Sequence, residues 1–137
     1  MLSVNTTSKK EVACGIMFYE NKVLMGLRSS TGKDPGIWEF PGGKLEPGET
    51  LRQCLHREWI EELNLEIRIV HELTTLNTSG HKCHFYIGFI KNIENIELIV
   101  HDKVQLVEVE KINELKLFKE DSKVLDALYS YLNQLHR

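Results

Sequence analysis

The 137-residue chain carries all three of its prolines in one segment, residues 29–49, which also holds five of its nine glycines. Gly and Pro at this density exclude a helix there and leave room for only one short strand, at residues 37–40. A loop of this length inside a compact domain is usually functional. The segment therefore constrains the fold strongly, because the regular elements must be arranged around it.

Sequence patterns on both sides of the loop predict a mixed α/β domain. Residues 50–63 give the clearest helix, because Thr50 and Gln53 form a capping box and apolar residues recur every four positions. Apolar runs predict strands at residues 12–19, 22–27, 66–73, 82–90, 96–100 and 105–109. A second helix, near the C-terminus, has an apolar face formed by Val124, Leu128, Leu132 and Leu135. Strands covered by two helices indicate an α/β layered fold.

Composition excludes several classes of protein. With 42% hydrophobic and 27% charged residues the chain is typical of a globular domain. A net charge of −3 argues against a surface that tracks polymeric nucleic acid or an anionic membrane. Three scattered cysteines do not indicate a disulfide framework, and the polar N-terminus lacks a signal peptide pattern. We expect a cytoplasmic protein with a flexible N-terminus (1–10) and one domain (11–137).

The predicted helix at residues 50–63 carries an acidic stripe. Glu58, Glu61 and Glu62 are spaced three and four residues apart, so their carboxylates project from one face, and Arg57 lies one turn before Glu61. Like charges at this spacing repel each other. The stripe is therefore either a solvated surface or a set of hard oxygen ligands around a divalent cation.

The spacing of the loop and the helix favours the second interpretation. Gly43 is followed by Glu49, by Arg57-Glu58 and by Glu61-Glu62, and this run, residues 43–65, resembles the Nudix box, G-x5-E-x7-R-E-U-x-E-E-x-G-U. Two positions depart from that pattern. Trp59 replaces an aliphatic residue, and we expect it to face the core. Asn64 replaces glycine, and we expect it to form the left-handed C-cap of the helix.

The lead-in W-E-F-P-G-G-K, residues 38–44, is similar to that of MutT-like Nudix hydrolases. The resemblance implies an α/β/α sandwich with a mixed central sheet. It also implies an Mg²⁺-dependent pyrophosphohydrolase, for which Mn²⁺ is a substitute. The substrate would be a small nucleotide, an NTP or dNTP that is unmodified, oxidised or methylated, cleaved to the monophosphate and pyrophosphate. Alternatives are another nucleoside diphosphate derivative, such as ADP-ribose or a dinucleoside polyphosphate, and a non-catalytic nucleotide sensor. The chain would be a monomer or a homodimer.

The same resemblance implies roles for the residues of the box. Metal ligands would be Glu58, Glu62, Glu61 and the backbone carbonyl of Gly42. Arg57 would hold a box glutamate, Glu49, and Glu58 would be the general base. Asp102 is either a further acidic ligand or an ordinary exposed aspartate.

The implied substrate-binding residues lie in the loop and beyond it. Arg28 is either near the phosphates or sugar or a surface residue, and Lys44 is either a phosphate contact or solvated. Asp121 is either a reader of the base edge or a helix N-cap. Strand alternation separates His84 from His81 and Cys83, and places His81 in the base pocket or in solvent. The full set is Arg28, Glu39, Phe40, Pro41, Gly42, Gly43, Lys44, His81 and Asp121.

Overall fold

The computed structural model describes residues 9–135. Residues 1–8, which make up most of the N-terminal segment expected to be flexible, and residues 136–137 lie outside the described residues. The elements in chain order are β1 (Lys10–Tyr19), β2 (Lys22–Arg28), β3 (Trp38–Glu39), β4 (Gly42–Lys44), α1 (Leu51–Leu63), β5 (Ile67–Thr78), β6 (His81–Ile90), β7 (His101–Val107), a 3-10 helix (Val109–Glu114) and α2 (Asp121–Leu135).

The described strands form one seven-stranded mixed sheet in the order β3-β2-β1-β6-β5, with β4 paired to β1 and β7 paired to β2. The central strands β1 and β6 run parallel from Lys10 to Phe18, and the other pairs are antiparallel. The hairpin between β1 and β2 turns at Glu20 and Asn21, whose φ angles are 50° and 66°. Two consecutive positive φ values match the twist of a tight hairpin.

Helices cover both faces of this sheet. Trp59 of α1 packs with Met17 and neighbouring residues in one buried cluster. Leu128 of α2 packs with Ile16 in a second cluster on the opposite face. Adjacent residues of β1 feed opposite clusters because side chains alternate along a strand. The predicted α/β/α sandwich with a mixed sheet is confirmed. Within residues 9–135 every helix is too short or too polar to span a membrane.

Helix α1 begins and ends as its sequence predicts. The Thr50 side chain accepts from the Gln53 backbone N–H and the Gln53 side chain accepts from the Thr50 N–H, which completes the capping box. At the other end Asn64 is left-handed, with φ 55° and ψ 39°, and its backbone N–H donates to the Ile60 carbonyl over 2.9 Å. Asparagine tolerates this conformation better than most residues, so the departure from glycine preserves the helix end.

Two strand predictions are wrong. The segment 96–100 is irregular, because its backbone bonds to the end of α1: the N–H groups of Glu97 and Ile99 donate to the carbonyls of Leu63 and Glu62. The last strand is β7 at residues 101–107 rather than 105–109, and a 3-10 helix follows it.

The Gly/Pro loop contains a strand that the sequence did not indicate. β4 pairs with β1 through Gly42 and Gly43, opposite Cys14 and Ala13. A Cβ at Gly42 would collide with the Ala13 carbonyl. Glycine therefore serves here to bring two backbones together, which holds the loop beside the centre of the sheet.

Candidate functional site

The loop and helix α1 approach each other closely at Pro41 and at Gly43. Trp59, which is fully buried, donates its indole N–H to the Pro41 carbonyl over 2.9 Å. At Gly43 an added Cβ would overlap the carboxylate of Glu58. The loop backbone therefore comes so close to the acidic stripe that only a residue without a side chain fits at this position. The stripe is covered by the loop at this point and is not solvated.

Arg57 fastens the far end of the loop. Its Nη2 and Nε donate to the two carboxylate oxygens of Glu49 over 2.6 and 3.0 Å, and Nη2 also donates to the Lys44 carbonyl over 3.1 Å. The hydrogen bonds from Arg57 lower the pKa of Glu49 to about 2. The structure thus places Arg57 against Glu49, as the family resemblance implies. Its Nη1 donates to Glu61 over 3.0 Å.

The acidic stripe separates into a pair and a third, outlying residue. The carboxyl groups of Glu58 and Glu62 lie within hydrogen-bonding reach of each other. Burial, followed by the neighbouring Glu58 carboxylate, raises the pKa of Glu62, and burial also raises that of Glu58. Glu61 is turned to Arg57, with its side chain 57% exposed. Two crowded, half-buried carboxylates need a proton or a cation between them.

The pair fits a divalent cation that is shared with a substrate. Within residues 9–135 no three His, Cys, Asp or Glu side chains are grouped as a ready metal cluster. Mg²⁺ is commonly held by one or two carboxylates together with substrate phosphates, and Glu58 and Glu62 supply that number. Asp102 is not brought to them. It is exposed, and its carboxylate accepts from the Ser30 backbone N–H over 2.9 Å.

A cleft with two adjoining parts opens beside this pair. The part that we call the carboxylate lobe has a volume of about 390 Å³ and includes Glu62, Gly42 and Gly43 in its walls. The part that we call the distal lobe has about 400 Å³ and includes His81 and Asp121. The residues that line both lobes form their junction. They are Val12, Cys14, Arg28, Lys33, Glu39, Phe40 and Lys44.

The junction is held by a short chain of polar contacts. Arg28 Nη1 donates to Glu39 Oε1 over 2.7 Å, and Glu39 Oε2 lies 2.8 Å from His101 Nε2. The Arg28 guanidinium also lies over the Phe118 ring, 5.4 Å from its centroid. His101 and Lys33 were not predicted from the sequence. Predicting His101 would have required the register of β7. Lys33 could have been suggested weakly, because it is a cation inside the Gly/Pro loop.

The distal lobe combines apolar walls with one buried acid. Asp121 is the first residue of α2 and only 6% exposed, and burial raises its pKa to about 6. Phe85 and Phe118 belong to the same walls. This lobe has the size and polarity that suit a flat ring with polar edges.

The remaining predicted residues divide between the cleft and the core. His81 and Cys83 line the distal lobe, whereas His84 points to the other face and contacts Glu11, as strand alternation predicts. Phe40 and Lys44 line both lobes. Pro41 is buried, and its carbonyl binds Trp59 and the Gly15 N–H instead of facing the cleft.

Comparison with known proteins agrees with this architecture. The chain is 42% identical over 59 residues to the CTP pyrophosphohydrolase of Escherichia coli strain K12, which covers 43% of this chain and 44% of that one. It is 38% identical over 74 residues to the 8-oxo-dGTP diphosphatase of Proteus vulgaris, covering 53% and 63%. The chain therefore spans about half the length of these curated relatives.

Solved structures extend the similarity over the whole domain. The solution structure of the E. coli ORF135 protein matches with a TM-score of 0.73 and 27% identity, over 88% of this chain and 89% of that one. A NUDIX hydrolase from Nitrosomonas europaea shares the fold with a TM-score of 0.78 at 23% identity, over 98% and 76%. The family model of the NUDIX domain matches residues 9–128. The chain belongs to the Nudix family.

Proposed function

We propose that the protein is a divalent-cation-dependent pyrophosphohydrolase that converts a nucleoside triphosphate to its monophosphate and pyrophosphate. The observation that carries this proposal is the two-lobed cleft, with a carboxylate pair at one end and a ring-sized apolar lobe at the other. A nucleotide laid along the cleft has its phosphates at Glu62 and its base at Asp121. The names of the two curated relatives, which refer to nucleotides of this class, support the same conclusion.

Glu58 and Glu62 would hold the cation, Mg²⁺ by preference, with the Gly42 carbonyl as the neighbouring backbone oxygen. When bound, the cation supplies charge neutralisation at the phosphates and acidifies the attacking water. The chain's own residues supply the geometry. Arg57 clamps Glu49 and the Lys44 carbonyl, so the loop that carries Gly42 and Gly43 keeps its position over the pair.

Of the two paired carboxylates, Glu62 lines the cleft and Glu58 lies beside the Gly43 backbone. Glu58 remains our proposed general base. Burial raises the pKa of Glu58, and a raised pKa brings a carboxylate closer to the range in which a general base operates. Glu58→Gln and Glu62→Gln should both raise the cation concentration required, since each removes a ligand, but only Glu58→Gln should also abolish the ionisation that limits kcat on the acid side.

Asp121 favours a base with an exocyclic amine. Because its pKa is about 6, the carboxylate is mostly ionised at neutral pH and accepts hydrogen bonds rather than donating them. Cytosine and 5-methylcytosine present an amine donor of this kind, and so do adenine and the guanine ring of 8-oxo-dGTP. We rank CTP first because one curated relative is named a CTP pyrophosphohydrolase, and we retain 5-methyl-dCTP and 8-oxo-dGTP beside it.

The test is an assay of a nucleotide panel with Mg²⁺, in which the monophosphate and pyrophosphate are both quantified. The panel contains CTP, 5-methyl-dCTP, 8-oxo-dGTP, the common triphosphates and ADP-ribose. Glu62→Gln should lower kcat by orders of magnitude, while Glu110→Gln, a matched change on the exposed 3-10 helix, should not. Absence of turnover with every triphosphate, in protein that is shown to be folded, overturns the proposal. Binding without turnover, measured by calorimetry, would identify a sensor.

A further inference from the structure

His101 is buried at the point where β7 begins. Its side chain is only 1% exposed, and its ring lies directly against Gly26 of β2, where an added Cβ would come within 2.6 Å of the ring carbon Cδ2. The register between β2 and β7 shifts between Leu27 and Arg28, so that Arg28 pairs with His101. Such an irregularity re-aims a side chain, and here it turns the ring toward the cleft wall.

The polar contacts of this ring are directed at one acceptor. Nε2 lies 2.8 Å from Glu39 Oε2, so this nitrogen carries the hydrogen that is donated to the carboxylate. Nδ1 is buried and has no hydrogen-bond partner within the described part of the chain. A buried nitrogen without a partner is costly. The position of His101 therefore does not give both ring nitrogens a hydrogen-bond partner. The one polar contact that the ring makes is with Glu39.

Glu39, held by His101, also binds Arg28. One carboxylate oxygen binds His101, and the other accepts from Arg28 Nη1 over 2.7 Å. Arg28 Nε then donates to the Lys33 carbonyl over 2.9 Å, which connects the guanidinium to the loop. Without these contacts the side chain of Arg28 would be free to rotate about several bonds, because its Nη1 and Nε would have no fixed acceptors.

We propose that His101 is a positioning residue for substrate binding: by holding one oxygen of Glu39 it fixes the guanidinium of Arg28 at the junction of the two lobes. The proposal rests on the proposed function, which puts the sugar and the first phosphate of a nucleotide at this junction. An arginine that is already oriented binds such a group without the entropy loss of ordering a flexible side chain. His101 does not touch the reacting atoms, and its effect reaches the substrate through Glu39 and Arg28.

The kinetic test compares two replacements of His101 in the full chain. His101→Leu keeps an apolar side chain in the space over Gly26 and removes the donor, whereas His101→Gln supplies a side-chain N–H near the position of Nε2. We expect His101→Leu to raise KM about tenfold, the usual effect of losing a hydrogen bond to a charged group, with kcat nearly unchanged. His101→Gln should recover most of that loss. His84→Leu removes another buried histidine with a carboxylate partner, outside the cleft, and should leave KM unchanged.

A double variant distinguishes positioning from simple packing. If His101 acts through Arg28, His101→Leu should raise KM no further in a chain that already carries Arg28→Ala. If His101 only stabilises the fold, the two effects on KM multiply, or KM does not change while thermal stability falls. Either of those results overturns the proposal.

A readout without catalysis keeps this inference separate from the proposed function. In ¹⁵N-labelled protein the Arg28 Nε–H group, which is bonded to the Lys33 carbonyl, should give a protected side-chain signal, assigned by its loss in Arg28→Lys. His101→Leu should remove that protection and His101→Gln should restore it. Protection that is unchanged in His101→Leu contradicts the positioning role. Absence of turnover in the wild-type protein, with the signal behaving as expected, would instead refute only the proposed function.

Discussion

Replacing Trp59 by phenylalanine removes one hydrogen bond between the acidic helix and the glycine-rich loop. The indole N–H donates to the Pro41 carbonyl over 2.9 Å, and the side chain is fully buried. The same carbonyl also accepts from the Gly15 N–H over 2.9 Å. Phenylalanine therefore does not leave a buried carbonyl without a partner, so the heaviest penalty for deleting a donor does not apply.

The expected loss of stability has two parts. The hydrogen bond contributes about 1 kcal/mol net. The smaller ring leaves a cavity beside β1, where the indole nitrogen now sits within 2.8 Å of the place a Gly15 Cβ would take, and this costs about 1–2 kcal/mol more. We therefore expect Trp59→Phe to lower the free energy of unfolding by about 2–3 kcal/mol. Trp59→Leu, which restores the aliphatic residue of the box pattern, should cost more.

Urea denaturation followed by far-ultraviolet circular dichroism measures this loss without relying on the fluorescence of the residue that is changed. The slope with urea should stay constant, because both variants expose nearly the same surface on unfolding. We also expect kcat to fall in Trp59→Phe, since Pro41 leads directly into Gly42 and Gly43. A loss below about 0.5 kcal/mol, within the range of ordinary surface changes, would refute the argument that this bond ties the loop to the helix.

Three further predictions concern single positions. Gly43→Ala should fold but lose activity, because its methyl group displaces the Glu58 side chain. Gly42→Ala should be strongly destabilised, because its methyl group collides with the backbone of β1. Activity assays and thermal melts of the two variants separate these effects. Asn64→Ala should lower the free energy of unfolding by about 1 kcal/mol, because alanine disfavours the left-handed cap. Asn64→Gly keeps the cap and loses only the exposed bond from the Asn64 side chain to the Asn95 carbonyl, so it should cost less in the same urea titration. Burial raises the pKa of Asp121 from 3.8 to about 6, so the native state binds this proton more tightly than the unfolded state. Its stabilising contribution is complete below pH about 4 and is lost as the pH rises through about 6. Asp121→Asn should therefore gain thermal stability relative to the wild type over that interval, and a constant difference in Tm would contradict the assignment.

The parts of the fold that the sequence predicted are those specified by neighbouring residues. The capping box of Thr50 and Gln53 and the left-handed Asn64 are local, and both occur as expected. The strand prediction for residues 96–100 was wrong. The apolar residues there are typical of a strand, but the backbone N–H groups of the segment donate to the end of α1. That competition depends on contacts between residues more than thirty positions apart and leaves no local pattern.

The same distinction explains the candidate site. The contact of Arg57 with Glu49 follows from spacing along one loop and one helix, and the structure places the two side chains together. Which residue of β7 faces the cleft depends instead on the register of β7 against β2. With that register His101 faces the cleft and Asp102 faces Ser30. A shift by one residue would exchange them, so no reading of the strand alone could choose between the two.

The charges around the cleft give a prediction about the direction in which cation and nucleotide depend on each other. Arg28, Lys33 and Lys44 line the junction, whereas Glu62 lines the carboxylate lobe, where the proposed function puts the phosphates. Without a divalent cation burial keeps a proton on the Glu58–Glu62 pair, so Glu62 adds little repulsion, whereas with a cation it contributes to binding the triphosphate. Glu62→Gln should therefore bind CTP about as tightly as the wild type in EDTA and more weakly in Mg²⁺. Calorimetry in the two buffers measures both affinities, and Glu110→Gln serves as the control for a change of net charge. If the two proteins bind CTP equally well in Mg²⁺ too, Glu62 does not meet the phosphates through a cation.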